Sequence, residues 1–133
     1  MFQILVVEDD TNARKLMKAV LERAEYSVLT AVNAEEALQL LDTNHVDLIL
    51  LDIMMPGMDG YAFTEELRAA GSTIPILMAT AKQLPADKRK GFLAGTDDYM
   101  TKPVDTEEML LRIKALLRRS RIISERKLSI GAV

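Results

Sequence analysis

Several charged side chains stand directly after short apolar stretches, where they could do chemistry rather than support folding. Asp52 follows the apolar run 48–51, and proline and glycine residues force a turn immediately after it. Glu8 and Asp9 follow a second apolar run in the same manner. Because ligands bind at the carboxyl ends of the strands in open α/β sheets, the sequence predicts that Asp52 is the working residue of a site there.

These carboxylates would converge if their strands lie side by side, as in the common doubly wound order. Closely spaced carboxylates repel one another and raise each other's pKa unless a cation neutralises them. An all-oxygen site with room for water suits Mg²⁺ better than zinc. Thr80 and Lys102 each directly follow one of two further predicted strands. A lysine and a hydroxyl group beside a metal-bound carboxylate predict phosphoryl transfer, in which the Asp52 carboxylate attacks phosphorus in line.

An alternation of strands and helices must position these side chains. Apolar runs predict five strands, at 3–7, 26–32, 46–52, 74–79 (paired only from Ile76) and 98–101. Apolar residues at helical spacing predict five helices, at 11–24, 33–41, 60–70, 85–94 and 105–119. Such an alternation, with short connections, predicts an α/β domain with a doubly wound parallel sheet covered on both faces.

Four polar residues are predicted to begin helices. Asn33 and Asp105 are each followed three residues later by a glutamate, the spacing of a capping box. Asp59 is predicted to cap the helix that starts at Gly60. Asp10 is predicted to open the first helix rather than to bind a metal.

Two segments fit the alternation less well. The fourth predicted helix contains Gly91 and is polar over most of its surface. The sequence predicts one domain over 1–119 and a tail over 120–133, in which 121–127 is a polar linker and 127–131 alternates like the start of another strand.

Composition and charge narrow the functional classes. Apolar content of 49% and charged content of 28% over 133 residues are typical of a soluble globular protein. A net charge of −3 argues against a nucleic-acid binder, and the absence of cysteine excludes disulfides and thiolate metal sites. The lone histidine, His45, is expected to be exposed and cannot form a nitrogen-rich metal site. The apolar runs are too short to span a bilayer and no signal peptide is apparent, so a cytoplasmic location is expected.

The motifs together resemble the receiver domain of bacterial response regulators. They are Val-Val-Glu8-Asp9-Asp10, Leu-Leu-Asp52-Ile-Met-Met-Pro-Gly-Met-Asp-Gly60, Thr80-Ala81 and Tyr99-Met-Thr-Lys102-Pro103, in this order over about residues 3–119. The resemblance implies a flavodoxin-like (βα)₅ fold with strand order 2-1-3-4-5. It also implies that the chain is not an enzyme but a phosphoacceptor that assists its own phosphorylation and dephosphorylation.

The resemblance assigns roles around Asp52, the implied phosphoacceptor. Mg²⁺ would be bound by Asp9, Asp52 and the backbone carbonyl of Met54, with Glu8 helping through water. Lys102 would contact the phosphoryl group. The phosphoryl donor would be a partner histidine kinase.

A second set of implied roles concerns the response to phosphorylation. Thr80 and Tyr99 would be a switch pair, the hydroxyl moving towards the phosphate and the ring turning inward. The Lys102–Pro103 peptide bond would be cis, an isomer that proline tolerates. The added charge would bias a surface formed by the fourth helix, the fifth strand and the last helix.

Within the family, the segment 87–99 resembles the OmpR/PhoB subfamily, whose receivers dimerise through that surface. Carried over to this chain, Lys88 would pair with Glu108, and Asp98 with Arg112, across a two-fold axis. The segment 127–131 resembles the first strand of that subfamily's winged-helix domain, through which alone DNA would be bound. The expected protein is therefore a transcription regulator of which this chain supplies the receiver.

Three other functions are possible for a domain of this kind, and the same residues favour each of them less. A phosphatase resembling the haloacid dehalogenases needs a second aspartate two residues after the nucleophile, where this chain has Met54. A flavin-binding domain would want a neutral phosphate loop after the first strand, whereas Glu8 and Asp9 would repel a phosphate. A receiver-like module that is never phosphorylated usually lacks the acidic pair or the lysine, and this chain has both.

Overall fold

The computed structural model describes residues 1–53, 59–80 and 94–131, with side chains as far as Arg121. The strands are β1 (Gln3–Val7), β2 (Ser27–Ala31), β3 (Leu48–Asp52), β4 (Ile76–Thr80) and β5 (Asp98–Thr101). The helices are α1 (Thr11–Arg23), α2 (Ala34–Thr43), α3 (Gly60–Ala69) and the C-terminal helix (Thr106–Gly131). None of these helices is both long enough and apolar enough to cross a membrane.

The strands form one parallel sheet in the order β2-β1-β3-β4-β5, as predicted. The register pairs Val7 of β1 with Leu51 of β3, so the residues that follow, Glu8 and Asp52, stand at the same level. Asp52 is in turn paired with Ala79 of β4. All five strands therefore end at one edge of the sheet, which we call the carboxyl edge.

The apolar side chains of the sheet divide between two cores. Alternate residues of a strand point to opposite faces, so Leu5 packs on the α3 side with Phe63, whereas Ile4 packs on the other side with Ile113 of the C-terminal helix. Every residue of β3 and β4 is buried. Burying a large apolar side chain contributes about 1.5–3 kcal/mol, so the two cores fix the strands that carry Asp52 and Thr80.

The predicted caps are confirmed. The side chains of Asp10, Asn33 and Asp59 accept hydrogen bonds from the amides of Ala13, Glu36 and Ala62, at 2.9, 2.8 and 2.8 Å respectively. Asp105 accepts from the amides of Glu107 and Glu108 at 2.9 and 3.2 Å. Each cap supplies an acceptor for an amide that the first helical turn leaves unpaired, and such caps contribute about 1 kcal/mol each.

The predicted end of the last helix is wrong. The C-terminal helix continues to Gly131, so 121–127 is helical rather than a linker and 127–131 is not a strand. The segment contains no glycine or proline between Val104 and Gly131, so nothing in the backbone interrupts the helix once it has started. The helix predicted at 85–94 lies outside the described residues except for its last residue, which is helical.

Candidate functional site

The carboxyl edge brings together three carboxylates, which we call the acidic cluster: Glu8, Asp9 and Asp52. One carboxylate oxygen from each lies within 4.8 Å of the other two. Glu8 is 1% exposed and Asp52 is 6% exposed, whereas Asp9 is open to solvent. Across the described ranges, no other acidic or histidine side chains form such a group of three. The sequence-predicted residues of β1 and β3 therefore do converge.

Lys102 reaches into the acidic cluster from the end of β5. Its Nζ lies 2.9 Å from Glu8 Oε1 and 3.2 Å from Asp52 Oδ2. Its backbone amide donates to the carbonyl of Thr80 at 2.7 Å, which ties it to the end of β4. The peptide bond that follows, Lys102–Pro103, is cis as expected.

Among the described residues, the ammonium group of Lys102 forms ion pairs with Glu8 and Asp52, two of the three carboxylates of the cluster. Burial raises the pKa of Glu8, and the neighbouring Asp52 raises it further, while Lys102 acts in the opposite direction. Burial alone would lower the pKa of Lys102, but the two carboxylates that it contacts outweigh this effect and raise its pKa. Lys102 is therefore protonated, and its single positive charge is set against two carboxylates that it contacts directly.

The donor set fits Mg²⁺. All three side chains offer oxygen, no nitrogen or sulfur ligand is present in the acidic cluster, and the exposed Asp9 leaves access for a hydrated ion. A divalent cation would neutralise carboxylates that burial and mutual repulsion otherwise disfavour. The carbonyl of Met54, also predicted as a ligand, lies outside the described residues.

Gly60 brings the start of α3 into contact with the backbone at the end of β3. The Gly60 amide donates to the carbonyl of Ile53 at 2.9 Å. A Cβ atom at this position would lie 2.7 Å from Ile53 Cα and 3.2 Å from the Asp52 carbonyl oxygen. The sequence identified this glycine only as a turn residue, whereas the structure requires glycine because α3 begins in contact with the β3 backbone.

Arg14 of α1 is a site residue that sequence reasoning missed. Its Nη1 atom donates to the backbone carbonyls of Glu8, at 2.9 Å, and Asp9, at 3.3 Å. The only signal in the sequence is an arginine near the start of a helix that follows three consecutive acids, and the same pattern is also typical of a solvated helix face.

The two residues predicted to form a switch lie on neighbouring strands. Thr80 is the last residue of β4 and is fully buried, and Tyr99 of β5 is 6% exposed. Tyr99 belongs to the core cluster on the α3 side of the sheet. Both are close to the carboxyl edge, and their switching role stays a prediction.

Three of the four predicted dimer residues contact one another within the chain. In the C-terminal helix, Nη1 of Arg112 donates to both carboxylate oxygens of Asp98, at 2.8 and 2.9 Å, and Nε donates to Glu108 Oε1 at 2.9 Å. Lys88 lies outside the described residues. Pairing across a two-fold axis stays a prediction, and it would require Arg112 and Asp98 to exchange partners.

The fold and this edge chemistry match a known family. The sequence model of the response regulator receiver domain matches residues 4–114. The chain is a response regulator receiver domain. Curated relatives of this receiver include the transcriptional regulatory protein ResD of Bacillus subtilis, 48% identical over 89% of this chain and 49% of ResD. The heme response regulator HssR of Staphylococcus epidermidis is 40% identical over 98% of this chain and 58% of HssR.

Such relatives place the receiver in the OmpR/PhoB subfamily, and the chain spans about half their length. Solved structures of other receivers have the same fold. The Francisella response regulator 1452 receiver domain has a TM-score of 0.87 at 32% identity, over 90% of this chain and 99% of that one. The BeF₃-activated DrrB receiver domain has a TM-score of 0.81 at 31% identity, over 89% and 98%. The predicted flavodoxin-like fold is thus confirmed.

Proposed function

We propose that this receiver takes a phosphoryl group onto Asp52 from the phosphohistidine of a sensor histidine kinase. The observation that supports this most directly is the position of the Asp52 carboxylate, which ends β3 within reach of Lys102 and of the other two acids. Membership in the receiver family supports the same role.

The transfer would be a single displacement at phosphorus. An Asp52 carboxylate oxygen attacks in line, the new P–O bond forms and the P–N bond to the histidine breaks. The imidazole nitrogen leaves with the bonding electron pair and takes up a proton from water. Lys102, 3.2 Å from Asp52, is placed to hold a phosphoryl oxygen through its ammonium group.

Asp9 and Asp52 would hold Mg²⁺, with the carbonyl of Met54 as a further ligand and Glu8 acting through water. The ion would supply positive charge to offset the carboxylates and the incoming phosphoryl oxygens. Lys102 alone cannot offset them, because it already contacts both buried acids. The same groups would assist removal of the phosphoryl group by water, so the receiver takes part in its own phosphorylation and dephosphorylation.

Phosphorylation would then change a distant surface. Thr80 would turn its hydroxyl towards the new phosphate and Tyr99 its ring inward, which alters the face formed by the segment before β5, β5 itself and the C-terminal helix. We propose that a homodimer then forms on this face, with Lys88, Asp98, Glu108 and Arg112 in its charge pairs.

The relatives named as transcriptional regulators are about twice as long as this chain. We propose accordingly that residues 1–119 are the receiver of such a regulator and that 120–133 leads towards its DNA-binding domain. DNA would be bound by that domain alone, since the 133 residues of this chain have a net charge of −3.

Intact-protein mass spectrometry after treatment with acetyl phosphate tests the phosphoacceptor directly. We expect one phosphoryl adduct in wild type with Mg²⁺, none without Mg²⁺, and none in Asp52→Ala. Asp59→Asn is the matched control, because Asp59 caps α3 and asparagine retains that cap, so its adduct should equal that of wild type.

An adduct that persists in Asp52→Ala, or its absence from wild type, would refute the proposal and favour a receiver-like interaction module that is not phosphorylated. Sedimentation of the phosphorylated sample then tests the dimer. Arg112→Ala should remain monomeric there if the charge pairs are as proposed.

A further inference from the structure

We infer that Arg14 is a positioning residue for the Mg²⁺ site, holding the backbone from which Glu8 and Asp9 present their carboxylates. The inference rests on the proposed Mg²⁺-dependent function. It concerns a residue on α1 that contributes no ligand and contacts no reacting atom.

The contacts of Arg14 converge where β1 ends. The Glu8 amide still donates to Ala31 of β2 at 3.0 Å, and beyond this point the chain turns towards the Asp10 cap of α1. Arg14 turns back from the helix and donates to the next two carbonyls, at 2.9 and 3.3 Å. One half-buried guanidinium therefore joins the last turn of the loop to the helix behind it.

The loop backbone in turn orients the buried acid. The amide of Asp10 donates to Glu8 Oε2 at 3.3 Å, while Lys102 holds the other oxygen, Oε1, at 2.9 Å. A shift of the Glu8 and Asp9 carbonyls would move the Asp10 amide with them. The rotation of the Glu8 carboxylate and the distance between Asp9 and Asp52 would both change.

Arginine suits this task because it can hold the loop backbone without forming an ion pair with the acidic cluster. The guanidinium carries five N–H donors and stays protonated, so one of its nitrogens can bridge two carbonyls. In the part of the chain that the structure describes, the acidic cluster receives its ion pairs from Lys102, and Arg14 contacts carbonyls only. Arg14 therefore holds the loop backbone without pairing with the carboxylates that would face a cation.

The charge and the contacts of Arg14 make opposite predictions for its removal. A positive charge near the cluster repels Mg²⁺, so electrostatics alone would tighten Mg²⁺ binding when the charge is lost. Loss of the two carbonyl contacts would instead weaken binding, because the acids would no longer be held in place. The sign of the change in affinity separates the two roles.

The experiment is titration of Mg²⁺ by calorimetry and of Mn²⁺ by electron paramagnetic resonance, on wild type and three variants. Arg14→Met, which retains the apolar stem, should weaken binding about tenfold, as loss of an outer-shell partner does. Arg14→Lys retains the charge but not the planar guanidinium group, and its affinity should lie between those of wild type and Arg14→Met. Lys15→Met removes a charge from the next, exposed position and should bind as tightly as wild type or slightly more so.

Thermal unfolding in EDTA shows whether each variant is folded. If Arg14→Met is not folded, the affinity of Arg14→Lys decides the question instead. Wild-type affinity or better in the folded Arg14 variants would overturn the inference while leaving the metal site intact. If wild type itself binds neither ion, the proposed function fails first, and the positioning role fails with it.

Discussion

The two edges of the sheet carry charged clusters of opposite design. At the carboxyl edge, the ion pairs of the acidic cluster within the described ranges all come from the ammonium group of Lys102. At the other edge is the amino-edge cluster, formed by Arg68, Asp97 and the backbone around them. Arg68 pairs with Asp97 at 2.8 Å and donates to three carbonyls, those of Gly95, Ser72 and Ile74, at 2.8–3.1 Å.

The two clusters differ in the balance of charge among their described side chains. In the amino-edge cluster, one cation meets one anion, and Asp97 also accepts from the Ile76 amide at 2.8 Å, so α3 and the starts of β4 and β5 are joined. In the acidic cluster, the described side chains carry more negative than positive charge, and part of it is buried, which disfavours the folded state. The first arrangement stabilises the fold, and the second retains a capacity to bind a cation.

The largest expected effect is at the acidic cluster, in a pair of adjacent substitutions. Asp9→Asn removes a proposed ligand and should weaken Mg²⁺ binding by at least about 100-fold, the upper range for outer-shell partners. Asp10→Asn should leave affinity close to that of wild type, because asparagine retains the cap on α1. Mg²⁺ calorimetry on both variants checks this. Equal losses would mean that general negative charge, not the position of Asp9, binds the ion.

The second prediction concerns a substitution that removes the cation of the amino-edge cluster. Arg68→Ala should lower the free energy of unfolding by about 2–3 kcal/mol, because it leaves Asp97 and partly buried carbonyls without their charged donor. Mg²⁺ affinity should not change, since the two clusters lie at opposite edges. Urea denaturation together with calorimetry checks both statements. Arg68→Lys should recover only part of the loss, because an ammonium cannot reproduce the planar fork.

Much of the carboxyl edge could be predicted because its signals are local. An apolar run followed by an acid identifies a strand and its end, and parallel pairing then brings Glu8 and Asp52 together. The caps at Asp10, Asn33 and Asp59 depend on an amide three residues away, so spacing alone was sufficient. In a fold built from short, regularly alternating elements, the position of the site can thus be predicted without knowledge of its side-chain contacts.

The contacts of long side chains could not be predicted in this way. Arg14 and Arg68 each have several possible partners within reach, and only the placement of a helix against a strand end selects the carbonyls they bind. The requirement for glycine at position 60 depends on the distance to Ile53 Cα, which no spacing reveals. The helix end was missed for another reason: loss of apolar periodicity after Arg119 removed a packing signal, but not the tendency of the backbone to remain helical.

The smallest expected effect concerns the charge imbalance itself, in Glu8→Gln without Mg²⁺. The pKa of Glu8 is raised in the folded state by burial first and by Asp52 second. The folded state therefore favours the protonated acid, a contribution that is complete below the unfolded pKa of about 4.5 and is lost as pH rises through the folded pKa. Glutamine does not titrate, and its amide oxygen can still accept from Lys102.

Glu8→Gln should thus unfold at a higher temperature than wild type in EDTA, and the gap should widen from about pH 5 towards neutral pH. Thermal unfolding across that range, read by circular dichroism, checks the prediction. With saturating Mg²⁺ the gap should narrow or reverse, because bound ion stabilises the wild-type carboxylate. If the difference in unfolding temperature changes with neither pH nor Mg²⁺, the charge of Glu8 is offset by its neighbours as fully as that of Asp97. The contrast between the two edges would then lie in Asp9 and Asp52 alone.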